Sequence, residues 1–539
     1  MIPYSVVRLL SKFAKEIPEH SAVKVPRRSD RTLSYENYSF SSLQGLVNQT
    51  VGFLKSRGIV TKQRALIMIR PGVELVIVVF ALLRMGVVPI IIDPGIGRSS
   101  LLKCMHRSKP EILLAIPWLI KMSYFFPKTF AGVQKRIPVG KNFISLLKTL
   151  IPCTFSADTK PDQLAAVLFT SGSTGFPKGV CYKHCHLHAQ VEAIQKQYQI
   201  QPGEIDLPML PVFTLFNPLM GVTSIIPEIS SNRPASLKPQ FIVQAIIQNE
   251  ITNSFGAPAL WEKVANHCLQ KHIILPSIKR ILMAGAPAPI SLINNMKTTC
   301  PNAMVFTPYG ATEAMPVSSI SSTEINREVQ TLTSTGSGTC VGQVFPNISL
   351  KIAPIDHTFS SENNSQIPEC PVGEIGELLV AGSVVTESYD ALPEATSDAK
   401  ILTEGKLWHQ MGDLGYRDQE NRIWFCGRKK ESFIINSKQY LTDCCEAITN
   451  RLTGFSRSAL IKYRDRNEQD FPAMVLEMNI ESNSRKKQKL VIEKLKPYLS
   501  EFSATKDIKH FFFIKKFPVD VRHNTKIHRL ELSRKFSKS

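Results

Sequence analysis

Short apolar runs alternate with amphipathic stretches over most of this chain. Residues 65–69 read as a buried strand, as do 89–92, 165–169, 281–284 and 303–307. Four or five consecutive apolar residues bounded by turn or polar positions suit a strand covered on both faces. Between them, residues 241–248 carry Ile242, Ala245 and Ile246 at helical spacing. Such alternation predicts mainly parallel sheets clothed by helices. The most apolar stretch, 75–94, holds Arg84 and Gly86 and changes character midway. It predicts a helix over 76–84 and a strand over 87–92, not a membrane span, which needs about 20 unbroken apolar residues. From Ile348 the texture changes: residues 373–380 alternate like an exposed strand and turns become frequent. The Ser/Thr-rich pieces 318–323 and 331–339 read as loops. The fold class predicted is α/β. A large N-terminal domain of stacked, mainly parallel sheets with helices spans 1–428, with a β-rich subdomain at about 340–428. A small α+β C-terminal domain spans 429–539, within the usual size of a folding unit.

Composition narrows the class. The chain has 539 residues, 43% hydrophobic and 20% charged, which is ordinary for a globular protein. Its formal net charge of +21 makes a field that attracts anions: nucleotide phosphates, acidic headgroups or nucleic acid. No helix-turn-helix, zinc-finger or aromatic RNA-binding signature accompanies the charge, so a solvated surface is the first reading, weak membrane-surface attraction the second, and nucleic acid is set aside. Eleven scattered cysteines suit a reducing compartment. Arg8 and Lys12 interrupt the N-terminus before a signal-peptide core builds up. The expectation is a cytoplasmic protein with at most peripheral membrane association.

The strongest local signal follows the apolar run at 165–169. Thr170, Ser171, Gly172, Ser173, Thr174 and Gly175 lead through Phe176-Pro177 to Lys178-Gly179. Glycines let backbone N–H groups approach an anion, hydroxyls add donors, and Lys178 adds a point charge suited to phosphate. It is neither a Walker loop nor a dinucleotide fingerprint. Further along stand Gly285-Ala286-Pro287 after an apolar strand, Tyr309-Gly310-Ala311-Thr312-Glu313 after another, Gly412-Asp413-Leu414-Gly415, Gly427-Arg428-Lys429-Lys430, and Asn524-Thr525-Lys526-Ile527-His528-Arg529. Glu313 offers a hard oxygen ligand. The cluster Cys181–His188 packs its sulfur and nitrogen atoms into eight residues, a spacing that fits no structural zinc template.

In this order the motifs resemble the adenylate-forming superfamily of acyl-CoA synthetases, adenylation domains and luciferases, over nearly the whole chain. The resemblance implies ATP and Mg²⁺ as cofactors and a carboxylic acid as substrate. It makes residues 170–175 and Lys178 the cradle of the triphosphate, with Thr170 and Glu313 as metal ligands. Gly285, Ala286, Pro287, Tyr309, Gly310 and Ala311 become the adenine pocket, Thr312 a contact near the α-phosphate, and Asp413 and Arg428 ribose or phosphate contacts. Lys430 falls at the hinge of a mobile C-terminal domain. Lys526 falls at the lysine that bridges the carboxylate and the α-phosphate.

Three departures bear on the acceptor. Thr214 follows Leu210-Pro211-Val212-Phe213 where many acyl-CoA ligases carry histidine. Residues 431–440 lack the glycines that usually line a pantetheine tunnel. No Ser-Gly precedes Lys526. Together with 210–218, 255–261, 307–313, 424–429 and 517–524, they resemble the β-lactone synthetases of bacterial long-chain olefin biosynthesis. That resemblance implies a β-hydroxy acid whose own hydroxyl attacks its acyl-adenylate, an intramolecular proximity effect. The base is left open among His184, His523 and the AMP phosphate. The runner-up acceptor is CoA, needed only in that alternative. A nucleotide-binding relative without catalysis is the alternative of another class, opposed by the intact motif set. The expected partners are the acid itself and other enzymes of a fatty-acid-derived pathway.

Overall fold

The computed structural model describes residues 4–29, 32–93, 96–170, 177–229, 237–358, 366–478, 484–519 and 527–537. Two large sheets organise the N-terminal part. The smaller has six strands in the order Lys135–Pro138, Ile112–Ala115, Arg64–Met68, Val88–Ile92, Leu164–Thr170 and Lys178–Lys183; all neighbours are parallel except the last pair. Helix Val73–Arg84 packs among the strands with nearly every residue buried, which is why its sequence is apolar all round. Gly86 then turns the chain at φ +65°, where an added Cβ would meet the Thr61 methyl at 2.8 Å. The run at 75–94 is therefore a helix and a strand, as expected. Among the described residues no helix is long and apolar enough to cross a membrane.

The larger sheet has fourteen strands. Its parallel part holds Ser21–Ser29, Thr223–Ile225, Ile205–Pro208, Asn253–Gly256, Arg280–Met283 and Met304–Ala311, with helices Pro239–Asn249 and Pro258–Lys271 against it. At Met304–Ala311 the sheet turns antiparallel and continues without a break through Ala314–Ser321 and Thr339–Val344 into the β-rich region.

Two expectations fail here. The pieces at 318–323 and 331–339 are not wholly loops: Ser318–Ser321 end the strand Ala314–Ser321, and Thr331–Ser334 end the helix Arg327–Ser334. Their hydroxyls satisfy neighbouring carbonyls, Ser318 Oγ to Val341 O at 2.8 Å and Thr331 Oγ1 to Arg327 O at 2.8 Å, so polar side chains fit inside regular structure. Strand Gly376–Gly382 is not exposed. Leu378 and Val380 pack into one apolar cluster while Leu379 and Ala381 pack into another on the opposite face.

The C-terminal part of the chain builds its own layer. Strands Arg457–Arg464, Asp470–Glu477 and His510–Ile514 form a three-stranded sheet between helices Arg485–Ser500 and Arg529–Phe536, each side with its own core. Arg529 is held by Glu431 at 2.9 Å and Glu446 at 2.6 Å. Contact with the larger part runs through Thr339 Oγ1 to Asp443 Oδ2 at 2.6 Å and a cluster shared by Leu414, Cys426, Leu441 and Cys444.

Candidate active site

Carboxyl ends of parallel strands are where α/β sheets bind ligands, and here both sheets point theirs into one cavity of about 1640 Å³. Phe169 and Lys178 reach it from the smaller sheet. Gly285 and the run Tyr309–Glu313 reach it from the larger, and Arg428, Lys429, Lys430 and Glu431 close it from the start of the C-terminal part. The strands Leu164–Thr170 and Lys178–Lys183 are antiparallel partners, so Thr170 and Lys178 stand opposite each other in register, with Lys178 on the cavity wall. Ser171, Gly172, Ser173, Thr174 and Gly175, which join them, lie outside the described residues, as does Lys526.

At one pole sits Glu313. Its backbone oxygen accepts from Thr386 N at 2.8 Å, and its Oε1 accepts from Tyr389 O–H at 2.7 Å. Burial alone would raise its pKa, but His409, the Tyr389 hydrogen bond and Lys400 outweigh that and hold it below the usual carboxylate range. Lys178 lies 4.5 Å over the Tyr389 ring, which brings its ammonium to the side chain that holds the Glu313 carboxylate. Burial and the like charge of Lys430 push Lys178 down, against the pull of Glu313. Thr312 lines the cavity, and its carbonyl accepts from the buried Tyr182 hydroxyl.

Tyr309, Asp413 and Arg428 form a second group. The Tyr309 hydroxyl donates to Asp413 Oδ2 at 2.6 Å, and Arg428 Nη1 lies 2.6 Å from Asp413 Oδ1. Both carboxylate oxygens are thus engaged within the protein. Arg428, Gly412 and Tyr309 form cavity wall while Asp413 sits behind them, almost fully buried. Gly285 borders the cavity at φ +95°; Ala286 and Pro287 continue the turn away from its wall.

Three residues were missed by sequence reading. Tyr389 anchors Glu313. His409 lines the cavity with Nδ1 3.1 Å from Ala399 O, and burial with the nearby Lys400 pushes its pKa down to about 4, so its ring is neutral. Lys400 is buried, its Nζ without a hydrogen-bond partner, and burial pushes it down to about 7. No local pattern marks them, because each arrives from a segment remote in sequence. Of the bases left open, His184 is buried outside the cavity wall with neither ring nitrogen bonded, and His523 lies outside the described residues. Among the described residues no group of three or more His, Cys, Asp or Glu side chains is placed to hold a metal.

Away from Glu313 the walls are largely apolar: the Phe213 and Phe255 rings lie with centroids 3.8 Å apart, tilted by 35°, and Leu75, Val79, Phe216 and Met220 continue the lining. Thr214 is not part of this wall; it is buried behind it. At the opposite, amino-terminal edge of the large sheet the cavity touches Asp206, which accepts from Asn217 Nδ2 at 2.7 Å. Burial pushes Asp206 up to about 7, against the lowering effect of Asn217 and Arg280. The folded state therefore binds this proton more tightly than the unfolded chain, and stability drains away as pH climbs from about 4 to about 7. Asp206→Asn keeps the acceptor for Asn217 and cannot ionise. It is expected to match the parent near pH 4 and to exceed it near pH 8 by on the order of a few kcal/mol in thermal or denaturant unfolding. A difference that stays constant with pH would show that Asp206 does not carry this proton.

Comparison with known proteins agrees with this architecture. Residues 10–390 match the AMP-binding enzyme family. The sequence is 34% identical to the olefin beta-lactone synthetase of Stenotrophomonas maltophilia, over 98% of both proteins. The fold matches ATP-bound MatB from Rhodopseudomonas palustris with a TM-score of 0.79 at 17% identity, over 98% of this chain and 99% of that one. It also matches the Bacillus subtilis O-succinylbenzoate coenzyme A synthetase (MenE), solved with ATP and a magnesium ion, with a TM-score of 0.75 at 20% identity, over 97% and 98%.

Proposed function

Because this chain belongs to the AMP-binding enzyme family, whose members are AMP-forming ligases of the adenylate-forming superfamily, we propose that it activates a long-chain β-hydroxy fatty acid as its acyl-AMP and then closes a β-lactone. The observation that carries this reading is one cavity of about 1640 Å³ in which a carboxylate-and-cation pole at Glu313, Lys178 and Lys430 continues into largely apolar walls. Near-full-length likeness to an olefin beta-lactone synthetase supports the choice of product.

Glu313 fits a hard divalent cation: its carboxylate is kept ionised, it borders the cavity, and Tyr389 takes up one oxygen only. With one protein carboxylate in place, Mg²⁺ would complete its shell from phosphate oxygens, water and the proposed Thr170 ligand, and it would neutralise charge on the triphosphate. Lys178 and Lys430 add fixed positive charge at the same pole. In the first step a substrate carboxylate oxygen attacks the α-phosphorus, pyrophosphate leaves in line, and Lys526 offsets the charge that grows there. Residues 429–539 then turn about Lys430 as a domain distinct from 1–428. In the second step the β-hydroxyl oxygen attacks the acyl carbon, its proton passes to the departing AMP phosphate, the acyl–phosphate bond breaks and AMP leaves. A substrate folded so that hydroxyl and carbonyl touch needs no external nucleophile. Free thiols at every described cysteine suit a cytoplasmic setting, and a lactone product would pass to further enzymes of a fatty-acid-derived pathway.

Product analysis tests the reading. Purified protein with ATP, Mg²⁺ and a long-chain β-hydroxy acid is expected to yield AMP, pyrophosphate and a β-lactone in the absence of CoA. A thioester formed only with CoA would overturn the lactone and leave the adenylation in place. Pyrophosphate release with neither product would remove both acceptors.

A further inference from the structure

Beside the cavity mouth lies a surface that the chemistry above does not use. Helix Pro117–Ser123 and the turn after it expose Trp118, Tyr124, Phe125 and Phe126 at 62%, 64%, 76% and 42%. Contiguous exposed aromatic surface of this kind marks an interaction site. The rings do not hang from a loose loop. Leu119 and Ile120 pack into the apolar cluster beneath the helix, Ser123 Oγ donates to Ile120 O at 2.7 Å, and Arg136 Nε donates to Ser123 Oγ at 3.0 Å.

The stretch of chain that carries the patch is strongly basic. Residues 96–157 contain ten Lys and Arg and a single acidic residue, Glu111. That carboxylate is turned to the Gln63 side chain and the Arg64 backbone. Lys121 and Lys128 are exposed within the aromatic patch, and the Arg136 guanidinium lies 4.7 Å over the Tyr124 ring. Trp and Tyr with an apolar body and a polar tip, interleaved with long cationic side chains, match the headgroup zone of a bilayer, where the rings enter the acyl boundary and the cations meet anionic lipid. Trp118 and Leu119 are also cavity wall, next to Ile116 and Leu101. The patch therefore frames an entrance.

We propose that this patch docks the protein on an anionic lipid bilayer, so that a long-chain acid enters the cavity directly from the lipid. Delivery of the acid rests on the function proposed above; docking does not. The protein holds its own reporter: of four tryptophans, Trp261, Trp408 and Trp424 are buried at 0%, 2% and 0%, and Trp118 is exposed. With vesicles of phosphatidylglycerol and brominated phosphatidylcholine, tryptophan emission of the full-length protein is expected to shift to the blue and to be quenched. Binding is expected to weaken about tenfold or more in Phe125→Ser/Phe126→Ser and severalfold in about 0.5 M salt. The double variant should keep the parent melting temperature and the parent adenylation rate with acid supplied in detergent micelles, while its rate with acid supplied in vesicles falls. Absence of quenching by anionic vesicles would overturn the proposal, and so would equal binding by the double variant. Self-association lost in that variant, without lipid binding, would assign the patch to a protein contact and overturn it too. Quenching that persists while no acid is activated in either format supports docking and counts against the proposed function alone.

Discussion

Lys526→Ala is expected to slow acyl-AMP formation by about two to three orders of magnitude, with ATP affinity changed by less than about threefold. A cation that meets charge growing on the α-phosphorus acts in the transition state more than in the ground state, so its loss falls on the rate. On the proposed function the variant still offers the triphosphate Lys178 and Lys430, both of which line the cavity. Lys526 itself lies outside the described residues, but the chain that follows it is firmly held. Ile527 bridges Val519 in antiparallel fashion, His528 N donates to Pro518 O at 2.9 Å, and Arg529 pairs with Glu431, itself a cavity-wall residue. The ion pair ties the terminal motif to the segment that carries the proposed hinge. Single-turnover formation of the anhydride and calorimetric titration of ATP separate the two effects. A variant that forms adenylate at the parent rate would remove Lys526 from the chemistry.

What was legible in the sequence follows from range. Strands at 65–69, 89–92, 165–169 and 281–284 were readable because both faces of each are buried, so apolarity is continuous and local. Residues 373–380 misled for the opposite reason. Their alternation looked half-exposed, but a second apolar layer, unseen in the sequence, covers the other face. The site divides in the same way. Tyr309, Thr312 and Glu313 were readable since they stand at one strand end in an unbroken run. Tyr389 reaches Glu313 across 76 residues, and Tyr309 reaches Asp413 across 104, separations at which no spacing rule operates. That second pairing adds to what the sequence implies for Asp413: besides the expected ribose contact, its oxygens meet Tyr309 and Arg428. The missing glycines of residues 431–440 need a similar adjustment. The hairpin Phe433–Ile435/Lys438–Tyr440 is closed by Asn436 and Ser437, both left-handed at φ 49° and 60°. The tight turn that glycine would favour is present without it; what differs is the side chains that the turn carries.

Glu313→Gln is expected to lower adenylation by about two orders of magnitude and to raise the Mg²⁺ concentration for half-maximal rate about tenfold or more. The substitution keeps shape and keeps an oxygen to accept from Tyr389, so the change isolates charge. Two roles of that charge must be separated. One faces the cavity, where the carboxylate would meet a cation. The other faces inward, where Lys400 lies buried without a hydrogen-bond partner and Glu313 is the foremost charge favouring its ammonium form. Removing one member of a buried charged group leaves the other uncompensated, so Glu313→Gln is also expected to lose stability. Adding Lys400→Met removes the orphaned ammonium and is expected to restore most of the melting temperature while leaving the rate and the Mg²⁺ requirement of Glu313→Gln unchanged. If the double variant recovers activity together with stability, Glu313 serves the fold and not the nucleotide. If Glu313→Gln turns over at the parent Mg²⁺ requirement, the metal carboxylate lies elsewhere.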